Sequence, residues 1–130
     1  MVREINILIV EDSNDDTHLL LYELAQAGLK VRHERVETEP EMRAALGRES
    51  WDIILCDYSI PNFGALPALQ VVKEMGVGVP VIVISGVMAE ETAISVMNAG
   101  AQDFITKGNY SRLVPAINRE IKHGPENRRY

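Results

Sequence analysis

The chain has 130 residues, of which 46% are hydrophobic and 25% charged, with a formal net charge of −6. That length suits one domain with a sizeable core, and the acidic balance argues against direct nucleic acid contact. The single cysteine, Cys56, excludes a disulfide framework, and no apolar run nears the ~18 residues of a membrane span, so a cytoplasmic protein without membrane contact is expected.

Residues 5–10 form a short run rich in Ile and Val, apolar on both faces, which predicts a buried strand. Residues 14–27 carry a helical period that places Leu19, Leu20, Leu24 and Ala27 on one face, with Gly28 positioned to end the helix. Residues 31–36 alternate and predict a second, partly exposed strand. Thr38 and Glu41 fit a capping box with Pro40 in the first turn, so a second helix starts there. A third strand over 52–56 precedes a helix over 65–75, bounded by Pro67 near its start and Gly76 at its end. A fourth strand over 79–85, a helix over 90–99, a short strand over 103–106 and a helix over 110–122 complete the series.

Five strands alternating with five helices build right-handed βαβ units and hence a parallel sheet covered on both faces. The expected fold is α/β and flavodoxin-like, with strand order 2-1-3-4-5 in a three-layer sandwich. In such sheets a ligand sits beyond the carboxyl ends of the strands, where the order reverses between strands 1 and 3.

The residues at those ends have matching chemistry. Strand 1 ends in Glu11-Asp12 and strand 3 in Asp57, so three carboxylates converge and repel one another unless a cation joins them. Oxygen-only ligation with few carboxylates suits Mg2+. Strand 4 ends in Ser85-Gly86, a hydroxyl followed by an open approach, and strand 5 in Thr106-Lys107, an ammonium on the same rim. A cation site, a nucleophilic carboxylate, a hydroxyl and a lysine are the parts that phosphoryl transfer needs.

On these residues the chain resembles the receiver domain of two-component response regulators over nearly its whole length. Glu11-Asp12 resembles the family's acidic pair, Asp57-Tyr58-Ser59-Ile60-Pro61 its phosphoacceptor segment, and Ser85-Gly86 and Lys107 its phosphate-binding positions. Phe104, three residues before Lys107, occupies the aromatic switch position. The resemblance implies that Asp57 accepts a phosphoryl group from a sensor histidine kinase. It implies that Asp12, Asp57 and the backbone carbonyl of Ser59 hold Mg2+, with Glu11 acting through water, and that Ser85 and Lys107 grip the phosphate. Phe104 would then turn inward and alter the face formed by helix 4, strand 5 and helix 5. Output is a changed protein–protein surface with slow self-dephosphorylation, the work of a signalling domain and not of a turnover enzyme. Similar receivers often dimerise through that same face, so a homodimer is one expected arrangement. The segments around Asp57 and Lys107 also resemble receivers within larger sensory proteins. Residues 1–124 are therefore expected to form the receiver, and 125–130 a tail or the start of a linker to an output domain.

Three positions depart from the family pattern. Gly108 follows Lys107 where a proline is usual, often with a cis peptide; Gly64 comes one residue before the usual glycine, with Ala65 in its place; and Phe104 lacks a hydroxyl, so a switch through it relies on packing. An aspartyl-phosphate phosphatase would place a second Asp two residues after the nucleophile, where this chain has Ser59. A docking-only receiver would have lost the acidic pair, the acceptor or the lysine.

Other residues receive structural expectations. Cys56 is expected to be an inert core thiol and Trp51 a cover for the edge of strand 3. His18, His33 and His123 are expected at the surface, and Met42, Met75, Met88 and Met97 as core or boundary filler. Asp15 and Asp16 favour the dipole of the first helix. The basic residues of 119–129 are expected to form a solvated end, and an apolar Val87 is expected to screen the phosphate from water.

Overall fold

A computed structural model describes residues 4–86 and 89–122. The elements run β1 (Glu4–Val10), α1 (Asn14–Gln26), β2 (Lys30–Val36), α2 (Glu39–Arg48), β3 (Ile53–Asp57), α3 (Ala65–Met75), β4 (Val81–Ser85), α4 (Glu90–Asn98), β5 (Asp103–Thr106) and α5 (Leu113–Lys122). The strands form one parallel sheet in the order β2-β1-β3-β4-β5.

This order fixes which helix covers which face. The chain steps one way from β1 to β2 and the other way from β2 through β5. Right-handed connections then send α1 to one face and α2, α3 and α4 to the other. The two-residue strand period divides the core accordingly. Ile5, Ile7, Ile9, Ile53, Leu55, Ile82, Ile84 and Ile105 pack with Leu20 and Leu24 of α1 and Leu113 and Ile117 of α5. The alternate residues Leu8, Val10, Ile54, Cys56, Val81, Val83 and Phe104 pack with Met42, Leu46, Leu69 and Val96 of α2, α3 and α4. The central strands are thus apolar on both faces until their carboxyl ends, where Asp57 closes β3 and Ser85 closes β4.

The capping box expected at α2 is present, and other local bonds fix α1 and Trp51. Thr38 Oγ1 accepts from the Glu41 N–H at 3.3 Å, and Glu41 Oε1 accepts from the Thr38 N–H at 3.2 Å, closing the capping box of α2. Ser13 caps α1, its Oγ accepting from the Asp16 N–H at 3.1 Å. Trp51 is buried, and its Nε1–H donates to the Ala45 carbonyl at 3.0 Å.

Other expectations are corrected. β4 begins at Val81, two residues late, because Pro80 has no N–H for the ladder, although its carbonyl accepts from Ile54 at 2.9 Å. α5 begins at Leu113, since 110–112 form a turn in which the Leu113 N–H meets the Tyr110 carbonyl at 3.1 Å. The buried stripe of α1 is Thr17, Leu20 and Leu24, while Leu19 and Ala27 face outward. Leu19 sits about 100° from Leu20 around the helix, beyond the strip that the sheet covers. Met42 is core and Met75 boundary, but Met97 is exposed. His18 and His33 are exposed, whereas Val87, Met88, His123 and the 125–130 tail lie outside the described residues.

Candidate functional site

The strand register aligns the carboxyl ends. Val10 lies opposite Cys56, Asp57 opposite Ile84, and Ser85 opposite Thr106. Backbone pairing continues beyond the strands, with Glu11 N–H to the Val36 carbonyl at 3.0 Å, Tyr58 N–H to Ile84 at 2.9 Å and Lys107 N–H to Ser85 at 2.7 Å. Extending the period of Ile9, Leu55 and Ile105 by two residues sets Glu11, Asp57 and Lys107 on the face covered by α1.

Glu11, Asp12 and Asp57 each offer a carboxylate oxygen, all within 4.8 Å of one another. Glu11 and Asp57 are buried and Asp12 is exposed. Lys107 Nζ stands 2.9 Å from Asp57 Oδ2, 3.3 Å from Glu11 Oε1 and 2.6 Å from Asp16 Oδ2. The other oxygens are held by backbone: Asp57 Oδ1 accepts from the Ser59 N–H at 3.2 Å, and Glu11 Oε2 from the Ser13 N–H at 3.2 Å.

The charges are strained against one another. Burial first, then the hydrogen bond and negative charge of Asp57, push Glu11 up to about 7, against the pull of Ser13 and Lys107. Partial burial pulls the Lys107 ammonium down, but its bonds to Asp16 and Asp57 and the charges of Asp57 and Glu11 outweigh that, leaving it above the ordinary lysine value. A cluster of hard oxygens with too little positive charge fits a divalent cation with oxygen preference. Cys56 lies one residue away, yet burial and the neighbouring carboxylates raise its thiol far out of the reactive range.

The loops explain two of the unusual glycines. Gly64 has φ +108°, and a Cβ there would lie 2.6 Å from the Tyr58 carbonyl oxygen, so the turn leading from Asp57 into α3 admits no side chain at that point. Gly108 has φ +85° after a trans peptide, a conformation closed to proline.

Ser85 is buried at the end of β4 and Ser59 is exposed two residues beyond Asp57. Phe104 is already turned inward, 5% exposed and packed in the cluster beneath α4, so the expected inward rotation has no outward starting point here. Its place in β5, on the opposite face from Ile105, points the ring into that core. Asp16 corrects the expectation most. Instead of serving the helix dipole alone, it makes the shortest contact to Lys107. The signal lay in the crossover rule, which sets the first turn of α1 over the same face as residues 11, 57 and 107.

The sequence profile of the response regulator receiver domain matches residues 7–118. The chain belongs to this family. The response regulator PilR of Pseudomonas aeruginosa is 35% identical over 100 residues, covering 77% of this chain and 22% of PilR. The regulator NtrC of Salmonella typhimurium is 28% identical over 121 residues, covering 92% of this chain and 25% of NtrC. The chain therefore spans about a quarter of these relatives. Among solved structures, the receiver domain of the sensor histidine kinase PA1611 of Pseudomonas aeruginosa, which has a magnesium ion coordinated in its active site cleft, superposes with a TM-score of 0.78 at 22% identity. That match covers 92% of this chain and 99% of the other. The receiver domain of a LuxO-type repressor from Vibrio parahaemolyticus gives 0.80 at 22% identity, covering 93% of this chain and 92% of its own. At these identities the structures speak for the receiver fold. Among the described residues no helix is long and apolar enough to cross a membrane.

Proposed function

We propose that this receiver domain accepts a phosphoryl group on Asp57 from a phosphohistidine of a sensor histidine kinase, with Mg2+ held by Asp12, Asp57 and the Ser59 carbonyl and with Glu11 acting through water. The observation that carries the proposal is the convergence of Glu11, Asp12 and Asp57 oxygens within 4.8 Å, with Lys107 Nζ 2.9 Å from Asp57. Bound there, Mg2+ would offset the clustered negative charge and that of the incoming phosphoryl oxygens.

The chain's own residues do the rest. An Asp57 carboxylate oxygen forms the new O–P bond as the P–N bond to the donor imidazole breaks and its electron pair returns to the ring. The Ser59 N–H orients the carboxylate through Oδ1. Lys107 neutralises a phosphoryl oxygen, and the Ser85 hydroxyl donates to another. Later attack of water on phosphorus restores Asp57 and releases inorganic phosphate, a slow step that makes the domain a timed switch.

The added charge draws Ser85 and Lys107 toward the phosphate and repacks the surface of α4, β5 and α5. Because Phe104 starts inward, that repacking proceeds by shifts around a buried ring. Residues 1–124 act as the receiver and the following residues lead toward an output domain of a longer chain, as the greater length of the curated relatives supports. A homodimer through the same face is one form of output.

Intact-mass spectrometry after incubation with a small acyl phosphate donor tests the proposal. One phosphoryl group should be gained, requiring both Mg2+ and Asp57, and Asp57→Asn should gain none. A gain that persists in Asp57→Asn removes the acceptor role.

A further inference from the structure

We infer that Asp16 is the positioning residue for Lys107, holding the ammonium over the crevice before and during phosphoryl transfer. The inference rests on the acceptor role proposed for Asp57.

An ammonium has three N–H donors, and Lys107 has three carboxylate neighbours. Two of them, Asp57 and Glu11, belong to the acidic cluster that would hold a metal ion and a phosphoryl group, so their hold on the ammonium would weaken once those are bound. Asp16 is outside that cluster, at 2.6 Å, and is the partner that would remain. A lysine stem is flexible, so a partner on a rigid element restricts where its charge can go.

The anchor is itself fixed. The Asp16 N–H is bound by the Ser13 cap at 3.1 Å, and the Ser13 N–H is bound by Glu11 Oε2 at 3.2 Å. Glu11 Oε1 in turn meets Lys107 at 3.3 Å. Glu11, Ser13, Asp16 and Lys107 thus close a ring that ties the first turn of α1 to the end of β5. The Asp16 side chain is 42% exposed, so the pair is too wet to act chiefly as a stability element. Its effect falls on where Lys107 points.

The test compares wild type, Asp16→Asn and Asp16→Glu at saturating Mg2+ with the acyl phosphate donor, following the phosphorylation rate by intact mass and Mg2+ affinity by calorimetry. Asp16→Asn should be phosphorylated about fivefold more slowly, the loss of one charge-assisted bond at a half-exposed site, while Mg2+ affinity changes less than about twofold. Asp16→Glu keeps the charge on a longer arm and should fall between the two. As a half-exposed first-turn residue, Asp16 tolerates both changes, which unchanged melting midpoints verify. An Asp16→Asn protein as fast as wild type overturns the inference while leaving Asp57 as acceptor. So does a loss of Mg2+ affinity that matches the loss of rate, or an Asp16→Glu protein no faster than Asp16→Asn. A wild type that gains no phosphoryl group fails earlier, at the acceptor role itself.

Discussion

Two ion-pair networks in this molecule use the same side-chain chemistry to different ends. Around α2 and β2, Arg43 bonds Glu39 at 2.9 Å and Glu74 at 2.6 Å, Arg32 bonds Glu49 at 2.5 Å, and Arg48 bonds Glu34. Opposite charges there meet in water and are close to balanced. At the carboxyl ends of β1, β3 and β5, one ammonium faces Glu11, Asp16 and Asp57 with Asp12 beside them, and two of the carboxylates are buried. The difference lies in balance and burial. The outer network satisfies itself, whereas the inner one is short of positive charge and so is ready to take in a cation.

The contrast breaks most sharply at Lys107. Lys107→Met should slow phosphorylation by about a hundredfold, the scale for losing one donor to developing transition-state charge, as read by time-resolved intact mass. A rate near wild type would place Lys107 among merely structural charges.

The pH dependence comes next. Glu11 is raised from its ordinary 4.5 to about 7 in the fold, so between those values the folded state keeps a proton that the unfolded state has lost. Stability without metal should therefore be greatest below pH 4.5 as far as Glu11 is concerned, decline as pH rises toward 7, and level off above it. The Glu11 contribution over that range is about 3–4 kcal/mol at ~1.4 kcal/mol per pH unit. Denaturant melts at pH 5 and 8 should show most of that difference in wild type and lose most of it in Glu11→Gln. A metal that binds the deprotonated cluster reverses the trend, so Mg2+ should raise the melting midpoint more at pH 8 than at pH 6. The smallest effects belong to the outer network, where Arg43→Ala or Arg48→Ala should each leave the midpoint within about 2 °C.

Much of this site is legible in the sequence because its residues sit at strand ends, and strands of Ile and Val covered on both faces are plain in composition. Glu11, Asp57, Ser85 and Lys107 follow from element order alone. Harder to see is anything that depends on how a helix is rotated. Leu19 and Leu20 are equally apolar, and only packing decides that Leu20 goes in. Asp16 looks like any first-turn acid until α1 is laid over the face that holds Lys107. Phe104 is expected at a switch position from the family resemblance, but its orientation in the fold depends on the space beneath α4. The starts of β4 and α5 shift because a proline and a turn take up the residues before them.

Trp51 gives the molecule a convenient internal reporter. It is the sole tryptophan, buried before the first residue of β3, with the Arg32 guanidinium 5.7 Å from its ring centroid. Asp57 closes the other end of that strand, about 20 Å away at ~3.3 Å per residue. Its fluorescence should therefore stay constant while Mg2+ and phosphate come and go, and shift to the red only when the domain unfolds. Optical melts of this protein can then be followed at any ligand concentration without the chemistry of the crevice colouring the signal.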